Sequence, residues 1–355
     1  MFECFEIDFL PVGENSCSGD AICVRYGTPE VGFTINLVDG GYESTTQTII
    51  DHLDRYYGRP SRIDNVVLTH ADRDHAAGLV AILERYEVGA LWMNRPWLYV
   101  EQIVHHFHGN WTLQGLTTHL RTEFDKLVEL EAIAYRKRIP IYEAFQGAQI
   151  GAFEVLAPSR ERYLSLIPDL DQAPRVYTET AFDWLAGVAR KAVALVKETW
   201  SGETLSDDPE PTSASNESSV VQAALIDGKL IVLTGDAGPD GLTEAADALS
   251  EFGAFQPAFF QVPHHGSRRN VTPTVLNRWI GTPLANPSGP RGVAYCSAAA
   301  DDEDHPRRKV VNAFLRRGYP VHTTNGAARC HRNNMPSRSG WCVSNPESFS
   351  SEVEE

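Results

Sequence analysis

Apolar and polar positions alternate in short runs through the first part of the chain. Residues 7–10, 21–26 and 31–38 are rich in β-branched or apolar side chains and are separated by glycine-containing turns, the pattern of short strands. A helix is predicted over 45–57, where Ile49, Ile50, Leu53 and Tyr57 recur on one face. Val66, Val67 and Leu68 form the next strand, and 79–86 the next helix. Strand, helix, strand in that order is α/β layering. From 92 to 140 the pattern turns helical and irregular, with Trp92, Trp97, Trp111, His105, His106, His108 and His119. This helical, aromatic setting fits a lid packed over a cleft better than a set of metal ligands. Strand character returns at 140–142 and 149–156, and a second helical stretch covers 161–198, broken near Pro168 and Pro174. Residues 200–215 are poor in apolar side chains and rich in Ser, Pro and acid, which predicts a mobile acidic loop. Strands at 220–225 and 230–233, a helix at 241–249, a strand ending at 295–297 and a helix at 307–317 complete the pattern. No internal repeat of fixed period is visible, and 1–355 is read as one domain.

Composition narrows the class. Hydrophobic residues make up 42% of 355, enough to bury a real core. No window approaches the roughly 18 apolar residues of a spanning helix. The start, Met1-Phe2-Glu3-Cys4-Phe5-Glu6, is acidic where a signal peptide is basic, so a cytoplasmic protein without membrane contact is expected. Six dispersed cysteines fit a reducing compartment better than a disulfide framework. Cys330-His331 with Cys342 could belong to a zinc knuckle, but a fourth ligand at sensible spacing is missing. A net charge of −16 argues against simple adhesion to nucleic acid. Residues 260–340 reverse that balance locally, with twelve Lys and Arg against four Asp and Glu.

Candidate chemistry concentrates in a few short motifs. His70, Asp72, Asp74 and His75 put four metal-ligand donors into six residues, directly after a strand and before a helix. A solvated loop has no reason to interleave histidines with acids in this way, and the donors suit Zn²⁺, Mn²⁺ or Fe²⁺. Asp236 in Thr234-Gly235-Asp236 follows the apolar run at 231–233, where it could bridge two cations or cap the next helix. Val262-Pro263-His264-His265-Gly266-Ser267 brings adjacent histidines to a strand end, one toward the metals and the other free for a hydrogen bond or proton transfer, without saying which. Arg268 and Arg269 follow and could hold a phosphate.

His70-x-Asp72-x-Asp74-His75 with Gly78-Leu79 resembles the metal motif of the metallo-β-lactamase fold, in the variant where Asp replaces the second histidine. Together with the His264-His265-Gly266-Ser267 motif it is similar to the soluble hydrolase domain of the competence DNA-uptake protein ComEC. The resemblance runs from the first strands to 323–326 and implies a four-layer αββα sandwich of two similar halves, with the lid as an insertion. It also implies that Asp39 with Gly40 and Gly41 shapes the turn beneath the metals, although an ordinary turn explains them equally well. Asn216 stands where many other enzymes of the fold carry a third histidine ligand. His305, before Pro306, would contact substrate or protonate a leaving oxygen.

The expected function is a metal-dependent hydrolase. Two divalent cations, Zn or Mn, held by His70, Asp72, Asp74, His75, Asp236 and His264 or His265 would bring the pKa of a shared water toward about 7. Three carboxylates tilt the metal toward Mn²⁺. Asp74 and His305 are the candidate catalytic residues, and Ser267, Arg268, Arg269 and Asn216 the substrate-binding ones. A phosphodiesterase or nuclease acting on a phosphodiester or other small anion is favoured. The acids at 301–304 count against long duplex DNA. The alternatives are a hydrolase of a small lactone, thioester or lactam, and a metal-binding regulatory partner without catalysis.

Overall fold

The computed structural model describes residues 3–13, 16–107, 110–170, 195–250 and 256–355. The chain first lays down β1 (Cys4–Phe9), β2 (Ile22–Thr28), β3 (Gly32–Val38), β4 (Arg62–Val67), β5 (Glu87–Trp92) and β6 (Ile141–Tyr142). It continues with β7 (Gln149–Ile150), β8 (Phe153–Ala157), β9 (Leu195–Lys197), β10 (Val221–Ile226), β11 (Lys229–Leu233), β12 (Phe259–Gln261), β13 (Val293–Cys296), β14 (Val321–Thr323), β15 (Arg329–Asn333) and β16 (Glu352–Glu354). One seven-stranded sheet has the order β15-β1-β2-β3-β4-β5-β6 and the other β14-β13-β12-β11-β10-β8-β7, while β9 and β16 pair separately.

Strand alternation sorts the side chains between layers. In β2, Ile22, Val24 and Tyr26 face the partner sheet, whereas Cys23 faces the helices. In the second sheet Ile231 and Leu233 point inward, and Leu230 and Val232 outward. Even the adjacent pair Phe259 and Phe260 divides between the two cores. A period of two with both faces apolar is what a sheet covered on both sides requires. The layers are therefore helix, sheet, sheet, helix, the αββα sandwich. The helix Thr46–Tyr56 buries Ile49 and Leu53 against the first sheet, and Arg308–Arg316 buries Val310, Val311 and Phe314 against the second.

The two halves repeat one topology. β1, β2 and β3 pair antiparallel, then β3 to β6 run parallel; β8, β10 and β11 pair antiparallel, then β11 to β14 run parallel. No residue-level repeat betrays this, because burial constrains only the apolar character of each position. The repeat matters for the site, since the turns after β3 and β4 correspond to those after β11 and β12.

Between β5 and β6 the chain forms helices Val100–Ile103, Leu113–Glu123 and Asp125–Lys137. Arg95 fixes this insertion through Glu131 at 3.1 Å and Glu143 at 2.8 Å. His105, His106 and His119 are on the insertion, while His108 lies outside the described residues. Of the helical stretch expected over 161–198, Arg160–Leu170 is helix with Pro168 inside it, and Leu195–Lys197 is strand; Pro174 and the rest up to 194 lie outside the described residues. The stretch expected to be a mobile acidic loop is tied down at several points. Trp200 Nε1 donates to Leu284 O at 2.8 Å, Glu203 pairs with the buried Arg317 at 2.7 Å, Leu205 is buried, and Asp207 accepts from Thr274 N at 2.9 Å. Composition hid these anchors because their partners lie far away in sequence.

None of the six cysteines is in a disulfide, and Cys342 is exposed. No helix among the described residues is long and apolar enough to cross a membrane. His331 stacks on Phe259 with ring centroids 5.0 Å apart, and burial pushes its imidazole down to about 4. The unfolded chain takes up this proton near the ordinary value of about 6.5, while the folded chain resists until about 4. Stability should therefore fall as pH drops through that window. His331→Phe should lose less between pH 7 and 4.5 than the unaltered chain, by on the order of 2 kcal/mol after allowance for partial exposure. Urea melts at the two pH values measure this, and equal losses would show that the ring titrates normally.

Candidate metal centre

Every turn that builds the site leaves the carboxyl end of a strand. β4 runs out through Leu68 and Thr69 into His70, and the four-residue helix Arg73–Ala76 follows at once. Asp72 stands at its N-cap without capping it. Its carboxylate instead lies 3.5 Å from His70 Nε2 and accepts from Ser215 Oγ at 2.5 Å. The turn after β3 packs tightly beneath: a Cβ on Gly78 would lie 2.1 Å from Gly40 O, so only glycine allows the approach. Across the sandwich, the turn after β11 presents Asp236 and the turn after β12 presents His264 and His265. These two histidines and Gly266 have φ values of 46°, 56° and 83°. Left-handed backbone costs a non-glycine residue roughly 1–3 kcal/mol and persists where the surroundings enforce it.

Asp236 is the hub. Its Oδ2 lies 3.3 Å from His75 Nε2, 3.7 Å from His264 Nε2, 3.8 Å from His265 Nε2 and 3.9 Å from His70 Nε2. Asp74 adds a carboxylate 3.7 Å from His75 Nε2 and 3.8 Å from His265 Nε2. The helix after Asp236 begins only at Pro239, so this carboxylate faces the imidazoles and does not cap it.

The second nitrogen of each ring identifies its tautomer. His75 Nδ1 donates to Asp39 Oδ2 at 2.7 Å, and His265 Nδ1 to Ser297 O at 3.2 Å. Thr69 Oγ1 gives its proton to Asp39 at 2.7 Å and so accepts from His70 Nδ1 at 3.0 Å. Asn270 donates its Nδ2 to Asp236 O, which turns its Oδ1 toward His264 Nδ1 at 2.8 Å. All four Nε2 lone pairs are thereby left facing Asp236. This is how metal-binding histidines are held, with the outer nitrogen fixed by a hydrogen bond.

Electrostatics of the empty-handed side chains point the same way. Burial pulls the His265 imidazole down, but Asp236, Asp74 and Asp20 outweigh it and raise it to about 9. Burial disfavours the Asp236 carboxylate too, yet His75, His264 and His265 hold it well below the usual range. The Nε2 atoms of His70, His75 and His265 and the Oδ1 of Asp236 are buried with no hydrogen-bond partner among the described residues. Each such atom costs roughly 1–3 kcal/mol. Divalent cations would satisfy all four, and Asp74, His75, Asp236 and His265 bring one ligand atom each to within 4.8 Å of one another. The residues present fit a metal.

Residues 31–109 match the Metallo-beta-lactamase superfamily and contain Asp39, His70, Asp72, Asp74 and His75. That match takes in β3, β4 and β5 with the first metal motif. Among solved metallo-β-lactamase-fold structures, the chain is similar to the hydrolase AbOPH, at 12% identity over 66% of this chain and 73% of that one, with a TM-score of 0.34. It is also similar to a Cronobacter sakazakii metallo-β-lactamase with a HARLDQ motif, at 11% identity over 70% and 75%, with a TM-score of 0.31. No curated protein matches the chain in sequence.

The remaining candidates fall around this centre or apart from it. His305 Nδ1 lies 3.2 Å from Asp302 Oδ2, and its ring sits 6.4 Å from that of His264. Asn216, in the helix Ala214–Glu217, donates its Nδ2 to Thr212 Oγ1 at 2.8 Å and lies 3.2 Å from His264 Nδ1. Ser267 is buried, its N–H given to His264 O at 2.9 Å and its Oγ accepting from Arg269 N at 3.3 Å, so its hydroxyl serves the turn. Both arginines are engaged away from Asp236: Arg268 donates to Glu355 O, and Arg269 pairs with Glu210 at 2.5 Å. Asp20, Ser215, Asn270 and Gln261 were not legible as site residues. Gln261 Nε2 donates to Asp20 at 2.8 Å, while its Oε1 accepts from Thr234 N and Gly235 N, fastening the turn that carries Asp236.

Proposed function

We propose that the protein is a metal-dependent hydrolase that cleaves phosphodiester bonds at a two-metal centre. The observation that carries the reading is the convergence of four imidazole Nε2 lone pairs on the buried Asp236 carboxylate. Asp74, His75 and His265 with Asp236 would hold one cation, and His70 and Asp72 with Asp236 and His264 the other. Because both His264 and His265 reach Asp236, four nitrogens meet three carboxylates, a set that favours Zn²⁺ over Mn²⁺. Bound cations supply Lewis acidity and draw the pKa of a water toward about 7. The protein's own part is orientation: Asp39, Ser297 and Asn270 hold the rings, and Ser215 holds Asp72.

Phosphodiester cleavage is supported by the likeness of the two histidine motifs to the ComEC hydrolase domain and by the basic character of 260–340. A neutral lactone or thioester would need an apolar pocket at the metals. The crevice beside His70, lined by Pro96, Phe124, Leu127 and Tyr163, has a volume of only about 10 Å³, room for about one water. The small-molecule reading is the second one.

The test is metal analysis together with turnover of bis-p-nitrophenyl phosphate, a nitrocefin-type lactam and a lactone. About two transition-metal ions per chain and turnover of the phosphodiester are expected. Less than about half an equivalent after metal-supplemented expression would remove the two-metal centre. Turnover of the lactone or lactam alone would leave the metals and overturn the substrate class.

A further inference from the structure

The loop carrying His264 and His265 continues through Ser267 into Arg268 and Arg269, which line a surface groove of about 270 Å³. Leu205 gives this groove an apolar wall, Lys309 adds a third cation, and the acids Asp208, Glu210 and Glu355 also line it. The volume is that of roughly nine waters, room for a phosphate with a sugar-sized group attached.

Lys309 is the unusual member. It lies in the first turn of Arg308–Arg316 and is only 8% exposed. Among the described residues, nothing accepts a hydrogen bond from its ammonium group or pairs with it. Burial, and then the neighbouring Arg268, push that ammonium below the ordinary lysine range. The side chain is largely buried and lines the groove, so little freedom remains to be lost when an anion arrives.

The other cations in and beside the groove are met by oxygens of the chain itself. Arg268 donates to Glu355 O, and Arg269 pairs with Glu210. That last pair is 52% and 68% exposed, and such surface pairs contribute only about 0–1 kcal/mol. A phosphate offers arginine a bidentate partner and has oxygens left for Lys309, so it can displace Glu210.

We propose that this groove binds the phosphate of a phosphate ester, with Arg269 and Lys309 as donors and Glu210 as the side chain it displaces. The proposal deepens the hydrolase reading by naming the anionic end of the substrate, and rests on that reading only for its link to turnover.

Calorimetric titration of the full chain with inorganic phosphate and with the 5′-phosphorylated dinucleotide pTpT, each with and without EDTA, tests it. Saturable binding that survives the chelator, tighter for pTpT than for phosphate, is expected. Lys309→Met keeps the buried stem and should weaken binding about tenfold or more, the worth of one charge-assisted hydrogen bond. Glu210→Gln, at an exposed position that folding does not depend on, should tighten it severalfold. Binding that vanishes with EDTA, or that neither substitution alters, overturns the groove and puts the anion at the metals, leaving the hydrolase reading intact. Binding of inorganic phosphate without pTpT overturns the ester. Because binding is read apart from turnover, an inactive metal centre would leave this result standing.

Discussion

Asp236→Ala should yield a folded protein that holds about one metal ion or fewer and turns over at least about 10³-fold more slowly. The loop itself should survive, because its fixed points are backbone groups. Asn270 Nδ2 donates to Asp236 O at 2.8 Å, and Asp236 N donates to Ser219 Oγ at 3.2 Å. Only the carboxylate is lost, and with it the one anion that all four imidazoles share. Asp236→Asn, of the same shape but neutral, should behave alike, since charge is what two neighbouring cations require. Metal content after gel filtration and turnover of the phosphodiester are the measurements. Full occupancy with unaltered rate in both variants would show that Asp236 is a bystander and that the convergence of nitrogens has another cause.

His305→Ala should keep its metals and still lose roughly 10²–10⁴-fold in rate, the usual value of a general acid. Asp302 makes the difference between this histidine and a surface one. Burial works against its charge, but hydrogen bonds from His305 and from Ser18 at 2.8 Å hold the Asp302 carboxyl below the usual range. With Nδ1 committed to Asp302, the ring offers Nε2 to whatever occupies the space next to His264. Asp302→Asn should therefore reproduce part of the loss, with an altered pH profile, as expected of a residue that positions another. Metal loss in His305→Ala would make it a ligand, and an unchanged rate would reduce it to a loop histidine. Within the run at 301–304, Asp302 is committed inward and Asp304 pairs with Arg307 at 2.9 Å, so the loop repels anions less than four consecutive acids suggest.

How much of this was legible follows from distance along the chain. His70, Asp72, Asp74 and His75 declare themselves because one turn contains them all, and no packing role calls for that mixture. The strands around them were readable because burial on both faces leaves near-continuous apolar runs, and α/β layering followed, while the four-layer αββα arrangement came only from the resemblance. His264 and His265 could not be told apart, since the left-handed turn that aims both at Asp236 leaves no mark in sequence beyond Gly266. Asn270, Ser215 and Asp20 are ordinary loop residues until strands far apart in the chain bring them to the imidazoles. Adjacency of Arg268 and Arg269 to the histidine motif did not reveal their present partners, because the backbone turns between His265 and Arg268 and the side chains meet Glu355 and Glu210.

The twin topology of the halves has a mechanical consequence. His70, Asp72, Asp74 and His75 hang from the first sheet, and Asp236, His264 and His265 from the second, so an ion gripped by both is a rivet through the seam. The seam's cohesion then varies with the supply of that ion, by RT ln(1 + [M]/Kd), or about 4 kcal/mol at a thousandfold excess over Kd. Without such an ion, the same seam leaves buried imidazole nitrogens and the Asp236 Oδ1 without hydrogen-bond partners among the described residues. A cell short of the ion would thus lose the catalyst twice over, first as chemistry and then as a folded object that proteases leave alone.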